Sequence, residues 1–284
     1  MTLNDFLNNP KGLMTAAAGH GKTYCITECV KLSNDNCCQL VLTHTHAGIS
    51  SLKKKFSEQC IDSHKYDIQT ITGFSQRLVL SYCNRNEIPY SQDDDLYFPY
   101  ILKKAIKLLS KNSIQKIIQI TYQGLFVDEY QDCDINQHSF IMTLANLMPV
   151  HIFGDPLQGI FDFNEERVSF EKDLVQFTQF DLLQKPWRWL INGNNSELGK
   201  CILWYRKELH KDKTDFKLVN NCKSGFNVII PRGENEIAQL MYISAVIKKI
   251  RSESILVLVP SFLLFVRGVF TTKLLNRCDK VLSL

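Results

Sequence analysis

Short apolar runs alternate with longer segments of helical spacing along most of the chain. The apolar runs predict strands at 13–17, 39–43, 67–71, 124–127, 150–153 and 179–182. The segments between them predict helices near 22–34, 46–60, 73–84, 97–111 and 134–147. This alternation is typical of a parallel sheet with helices on both faces. Ligands of such folds bind at the carboxyl ends of the strands, so the loops that follow the strands are the first candidates for chemistry.

A second, shorter run of elements follows a helical stretch at 196–209 and a polar linker at 210–215. It predicts a strand, a helix, a strand and a helix at 226–230, 235–250, 255–259 and 262–275. One such βαβα unit is too small to bury a core by itself, so it either completes the first sheet or opens a second domain. We divide the chain into a first domain at 1–215, with a small helical insertion at 85–120, and an incomplete second domain at 216–284.

Composition places the chain among ordinary soluble globular proteins, because 45% of its 284 residues are hydrophobic, 22% are charged and the formal net charge is +4. The ten cysteines show no zinc-ligand spacing. The longest apolar stretch, 255–266, is shorter than the ~20 residues of a membrane span, and Pro260 divides it. No export signal is visible at the amino terminus. We therefore expect a cytoplasmic protein without a membrane partner.

A glycine-containing loop follows the first strand and leads into a helix. Its residues are Ala16, Ala17, Ala18, Gly19, His20, Gly21, Lys22 and Thr23. Small residues let backbone N–H groups approach a phosphate, and the helix amino terminus adds partial positive charge. We predict that Lys22 reaches the β- and γ-phosphates of a nucleotide and that the Thr23 hydroxyl ligates Mg²⁺. Ala16 stands where the general motif has its first glycine, so the match is incomplete at that position.

Two adjacent carboxylates, Asp128 and Glu129, directly follow the apolar run 124–127. An isolated acidic strand end is commonly a solvated turn or a helix cap, but the upstream phosphate loop favours a functional role here. Asp128 can hold Mg²⁺ through water while Glu129 orients and deprotonates the attacking water. We expect the tips of the strands 13–17 and 124–127 to lie side by side and to share a magnesium-bound triphosphate.

Gln158 follows the strand at 150–153, and an aspartate flanked by Phe161 and Phe163 comes next. A glutamine at the ligand edge is a neutral group that can hydrogen-bond both phosphate and water. The two phenylalanines are compatible with packing in the core or with a surface role. The aromatic spacing alone does not decide between these two alternatives.

Four segments in order, AAAGHGKT, LTHTHAGIS, VDEYQD and GDPLQGIFDF, together resemble the UvrD/Rep-like group of superfamily 1 DNA helicases. The segment 68–74 is similar to the family's short motif before its inserted subdomain, and 183–188 resembles the segment ending in its phosphate-sensing arginine. The resemblance spans about residues 12–190, and the group tolerates alanine at the position of Ala16. It implies a RecA-like P-loop NTPase fold, with 216–284 as the opening unit of a second RecA-like domain.

The resemblance implies an ATP-dependent DNA helicase or single-stranded DNA translocase that uses ATP and Mg²⁺. Lys22 and Thr23 would then bind the phosphates and the metal, Asp128 would bind the metal, and Glu129 would be the catalytic base. Gln158 would couple the γ-phosphate to the DNA-facing residues, and Arg188 would contact the γ-phosphate. The residues that the resemblance places on single-stranded DNA are Thr43, His44, Thr45, Phe74 and Phe163, the last by stacking on a base.

The residues themselves leave blander roles open for part of this set. The histidines of the THTH segment can equally cap the helix that follows them, and Trp187 and Trp189 beside Arg188 are compatible with simple packing.

The chain also departs from the family's pattern. The segment 1–12 contains no glutamine, which relatives use to read adenine, so adenine specificity stays open. The region 85–120 is short, and no later segment supplies the arginine finger, which is worth ~10³–10⁵ in rate in related hydrolases. We therefore expect this chain alone to bind but barely to step along DNA.

Two alternatives stand beside the helicase hypothesis. One is an ATP-switched DNA-binding subunit of a nuclease-containing repair or phage-defence complex, similar to Gabija systems. The other is an inactive truncated fragment. The expected partners are single-stranded DNA and either a nuclease or a second polypeptide that completes the helicase.

Overall fold

The computed structural model describes residues 2–34, 36–159, 168–192 and 196–209. The chain divides into two compact units, Met1–Thr214 and Asp215–Leu284, and every described residue belongs to the first unit. The predicted strands and helices beyond the linker, and the candidate residue Phe163, lie outside the described residues. The domain assignment therefore stays a prediction.

Six strands form one sheet in the described part of the chain. They are β1 (Lys11–Thr15), β2 (Cys38–Thr43), β3 (Tyr66–Thr70), β4 (Tyr122–Val127), β5 (Val150–Gly154) and β6 (Thr178–Phe180). Their spatial order is β3-β2-β4-β5-β1-β6, and every pairing is parallel. The six predicted strands are thereby confirmed, and the sheet has the architecture of the RecA-like P-loop α/β fold.

Nine α-helices accompany the strands in the described residues. They are α1 (Leu3–Asn8), α2 (Lys22–Leu32), α3 (His46–Glu58), α4 (Ile71–Tyr82), α5 (Tyr97–Leu109), α6 (Asn112–Thr121), α7 (Ile135–Leu144), α8 (Phe170–Asp173) and α9 (Ser196–Leu209). The sequence pattern did not predict α1, which a capping box between Thr2 and Asp5 begins. No helix in these ranges is long and apolar enough to cross a membrane.

Both faces of the sheet are covered, as the apolar strands require. Leu40 and Leu42 belong to the core cluster that contains residues of α4, α5 and α7, whereas Val41 between them belongs to the cluster with α2 and α3. Leu125 and Phe126 divide in the same way on β4. This alternation with a period of two places one apolar layer on each side of the sheet.

The helices of the 85–120 segment pack directly against the first of these layers. Ile101, Ala105 and Leu108 of α5 are buried in the same cluster as Leu40 of the sheet. Ile114 and Ile118 of α6, which recur at helical spacing, join that cluster. The segment thus contributes to the core beside the sheet.

Candidate nucleotide-binding site

The loop between β1 and α2 has the backbone shape of a phosphate cradle. Gly19 and Gly21 adopt φ values of +76° and +92°, which glycine reaches without steric cost. Gly19 must also lack a side chain because a Cβ there would lie 2.8 Å from the Cβ of Arg188. The loop is tied to the sheet by the Ala16 N–H, which donates to the Gly154 carbonyl at 3.0 Å. The amino terminus of α2 therefore opens onto a fixed turn, as anion binding requires.

Lys22 supplies a buried positive charge at this turn. Its side chain is 6% exposed, and Nζ lies 3.6 Å from Oε2 of Glu129. The same ammonium donates to the Ala16 carbonyl at 3.0 Å. The phosphate loop and the acidic strand end thus meet at one edge of the sheet. The expected adjacency of their two strands needs correction, because β5 lies between β1 and β4.

Asp128 is a carboxylate almost withdrawn from solvent. Its side chain accepts the Glu129 N–H at 3.0 Å. Burial raises its pKa to about 7, the negative charge of Glu129 adds to this shift, and the Lys22 ammonium opposes it. A cation bound beside Asp128 would stabilise the ionised form. Mg²⁺ prefers oxygen ligands, and both the Asp128 carboxylate and the half-buried Thr23 hydroxyl offer them, so these residues fit the predicted metal.

Glu129 is held in an uncommon backbone conformation. It is one of two non-glycine residues with positive φ in the described ranges, at +53°. Such strain is characteristic of functional sites when the surroundings enforce it. The side chain is 40% exposed, and its Oε2 accepts a hydrogen bond from Nε2 of Gln131 at 2.8 Å. The carboxylate is thus open to water on one side and held by a hydrogen bond on the other.

A cleft of about 910 Å³ lies over the loop and is large enough for a nucleotide. Arg188 lines this cleft, and its backbone N–H donates to the Gly19 carbonyl of the loop at 2.9 Å. Trp187, 42% exposed, lies next to it and packs against the ammonium of Lys185. The lining comprises residues 17–25 together with Leu3, Glu28, Lys55, Glu129, Leu182, Leu183, Trp187 and Arg188.

His20 belongs to the loop itself and is 2% exposed. Its Nδ1 is 3.1 Å from the Ala18 carbonyl oxygen, and its Nε2 is buried without a hydrogen-bond partner. Burial lowers the pKa of the imidazole. We infer a neutral ring that donates from Nδ1 and leaves Nε2 as a bare acceptor.

The glutamine predicted to sense phosphate is engaged elsewhere. Nε2 of Gln158 donates to Oδ2 of Asp155 at 2.6 Å. Asp155 in turn forms two hydrogen bonds of 2.7 Å with Arg206. Sequence reasoning missed both Arg206 and Gln131. Gln131 stands inside the VDEYQD segment and was therefore within reach, whereas Arg206 is 51 residues from its partner and offers no local signal.

The candidate DNA contacts at the end of β2 range from buried to exposed. Thr43 is 2% exposed. A ring nitrogen of half-buried His44 lies 3.4 Å from Sγ of Cys133, and burial lowers the pKa of that ring. Thr45 is exposed, and its hydroxyl accepts the Gly48 N–H at 3.0 Å. The cap of α3 is therefore Thr45 and neither neighbouring histidine.

The expected DNA contact of Phe74 needs correction. Phe74 is 2% exposed, and its ring centroid lies 5.9 Å from that of Tyr122 and 6.1 Å from that of Phe140. The Arg77 guanidinium covers the same ring at 5.2 Å. Helical spacing places Phe74 on the core face of α4, where no base can stack on it.

The glycine-containing loop, the buried Lys22 and the acidic end of β4 are the elements by which P-loop NTPases hold nucleotide phosphates. The site is therefore of the P-loop NTPase class. Residues 2–164 match the family model described as AAA domain, so the chain belongs to that family. A comparison with curated proteins finds no match.

Solved structures similar to this chain include three nucleic-acid enzymes. The UvsW helicase from bacteriophage T4 shows 13% identity and a TM-score of 0.36, over 63% of this chain and 57% of that one. The Pif1 helicase from Bacteroides in complex with ADP-AlF3 and ssDNA shows 13% identity and a TM-score of 0.42, over 88% of this chain and 56% of that one. The third is a nuclease-deletion mutant of the Type ISP restriction-modification enzyme LlaGI in complex with a DNA substrate mimic. It shows 11% identity and a TM-score of 0.31, over 98% of this chain and 30% of that one. The chain thus spans little more than half the length of the first two.

Proposed function

We propose that this protein is an ATPase of the UvrD/Rep-like helicase type, which couples hydrolysis of ATP to binding of single-stranded DNA. The observation that carries the proposal is the 3.6 Å approach of the Lys22 ammonium to the Glu129 carboxylate. It joins the phosphate-binding residue to the candidate base at one edge of the sheet. Membership of the AAA domain family supports nucleotide use, and the ordered sequence motifs support the helicase type.

The side chains around the cleft divide the work of hydrolysis. Lys22 and the N–H groups at the start of α2 bind the phosphates. Asp128 and Thr23 would hold Mg²⁺, which when bound neutralises charge on the phosphate oxygens. Glu129 accepts the proton of the attacking water, and Arg188 beside the loop stabilises the charge that develops on the γ-phosphate.

The proposed DNA interface begins at the amino end of α3. Exposed Thr45 and His46 follow β2 at the same sheet edge as the nucleotide loop, and Lys53 and Lys54 are exposed further along the helix. Hydroxyl, imidazole and ammonium groups can bind phosphates without reading sequence. This arrangement suits a protein that grips single strands of any sequence.

The test is steady-state ATP hydrolysis by the full chain with and without single-stranded DNA. Turnover that DNA stimulates, and that Glu129→Gln abolishes, supports the proposal. Nucleotide-dependent DNA binding without turnover would contradict it and fit the switched subunit of a nuclease complex instead. A chain that neither binds nor hydrolyses ATP would also contradict it.

A further inference from the structure

We propose that Arg206 is a positioning residue for ATP hydrolysis, which fixes the carboxylate of Glu129 through Asp155 and Gln131. The inference rests on the proposed function, since it requires Glu129 to act on the water that attacks ATP. Arg206 belongs to α9, outside both the phosphate loop and the acidic strand end. Three successive contacts connect it to Glu129.

The amide of Gln131 forms the two contacts nearest to Glu129. Its Nε2 donates to Oε2 of Glu129 at 2.8 Å, while its Oε1 accepts the backbone N–H of Asp155 at 2.8 Å. With both ends bound, this amide cannot turn without breaking a hydrogen bond. Gly154 leaves room for it, because a Cβ there would lie 3.1 Å from Oε1 of Gln131. The position of the Glu129 carboxylate therefore depends on where the Asp155 backbone lies.

Hydrogen bonds of the Asp155 side chain fix the backbone of Asp155. The Asp155 side chain is 0% exposed, and a buried carboxylate is costly unless it is paired. Its two oxygens also accept the Leu157 N–H at 3.2 Å and the Gln158 amide at 2.6 Å, which hold the turn Pro156–Gln158. The buried charge thus organises the loop that presents the Asp155 N–H to Gln131.

The third contact, between Arg206 and Asp155, supplies the cation that compensates this buried negative charge. Both terminal nitrogens of Arg206 donate to Asp155, each at 2.7 Å, in the bidentate geometry that makes such pairs strong. Removing the guanidinium would leave a buried charge without that cation, which is more disruptive than losing an exposed pair. The Asp155 loop, and with it Gln131, should then shift.

The charge of the same guanidinium also acts on the phosphate loop. Burial lowers the pKa of His20 most, and the positive charge of Arg206 lowers it further. Arg206 therefore acts on the loop that binds phosphate through its charge, and on the segment that holds Glu129 through its contact with Asp155.

The experiment compares kcat and KM for ATP in the full chain, with single-stranded DNA, for Arg206→Ala, Arg206→Lys, Gln131→Ala and the double variant Arg206→Ala with Gln131→Ala. Each of the two alanine variants should lower kcat by about 10- to 100-fold, because displacement of a catalytic group by about 1 Å has effects of this size. KM should change little. Arg206→Lys should recover part of kcat, since it keeps the charge but loses the bidentate geometry. The double variant should be no slower than the slower single variant, because both act on one contact chain.

A matched control separates positioning from general stability. Arg77 donates to the partly buried carboxylate of Asp67 at 2.6 Å, at the opposite edge of the sheet. Arg77→Ala should lower the thermal unfolding midpoint without lowering kcat. Arg206→Ala with wild-type kcat, or additive losses in the double variant, would overturn the inference alone. If Arg206→Ala does not fold, Arg206→Lys and Gln131→Ala carry the test. A wild-type chain without ATP hydrolysis overturns the proposed function, and this inference falls with it.

Discussion

Replacement of Lys22 by alanine tests the phosphate loop most directly. The ammonium donates to the Ala16 carbonyl and faces Glu129, so bound ATP would exchange the carbonyl contact for phosphate oxygens. A hydrogen bond to a charged group contributes about 1.5–3 kcal/mol. At about 1.4 kcal/mol for each factor of ten, its loss should weaken ATP binding by about 10- to 150-fold. The upper end is expected, because Lys22 also offsets the negative charges of Asp128 and Glu129, which repel a triphosphate.

Isothermal titration of the full chain with ATP measures this change. The matched control is Lys55→Ala, since Lys55 also lines the cleft but is exposed and pairs with Glu58 at 2.6 Å. An exposed pair contributes about 0–1 kcal/mol, so the control should leave ATP affinity within about fivefold of wild type. Unchanged ATP affinity in Lys22→Ala, or an equal loss in both variants, would refute the assignment of the loop.

Further predictions concern the proposed base Glu129, a buried histidine and the proposed DNA interface. Glu129→Gln should keep ATP affinity and lower turnover by about 10²- to 10⁴-fold, and turnover at the wild-type rate would mean that another group is the base. Burial lowers the pKa of His151 to about 4. The unfolded chain therefore binds a proton that the native chain excludes between about pH 6.5 and 4, and the free energy of unfolding should fall by up to about 3 kcal/mol as pH drops through that window. Urea titrations should show this slope reduced in His151→Gln, and an equal slope in the variant would assign it to other groups. Binding to single-stranded DNA, measured by fluorescence anisotropy, should weaken with added salt, and a flat profile would argue against phosphate contacts.

The strands were predictable because each is a short apolar run, but their order was not. Hydrophobic pattern records which residues are buried and carries no information about which strands are neighbours. The adjacency expected for β1 and β4 was wrong for this reason, since β5 comes later in the chain and pairs between them. Helix α1 was missed because its six residues bury only Phe6, too few for a helical pattern.

The site was predictable where its chemistry is local. The phosphate loop and the acidic strand end are contiguous segments with recognisable spacing, and the structure brings Lys22 and Glu129 together. The link from Asp155 to Arg206 is a tertiary contact, which no local pattern reveals. Phe74 shows the opposite error: its position in a motif suggested a surface role, whereas its ring fills the core between α4 and its neighbours.

The intervening strand also makes the site the right size. Neighbouring strands lie about 4.8 Å apart, so two adjacent tips would leave no room for a phosphate and a metal with ligand distances of about 2.1 Å. With β5 between them, β1 and β4 are separated by about twice that spacing. The Lys22 side chain crosses this gap to reach Glu129. Lys22 and Glu129, which belong to the two sides of this gap, both line the cleft over the loop, so a nucleotide bound there would contact both.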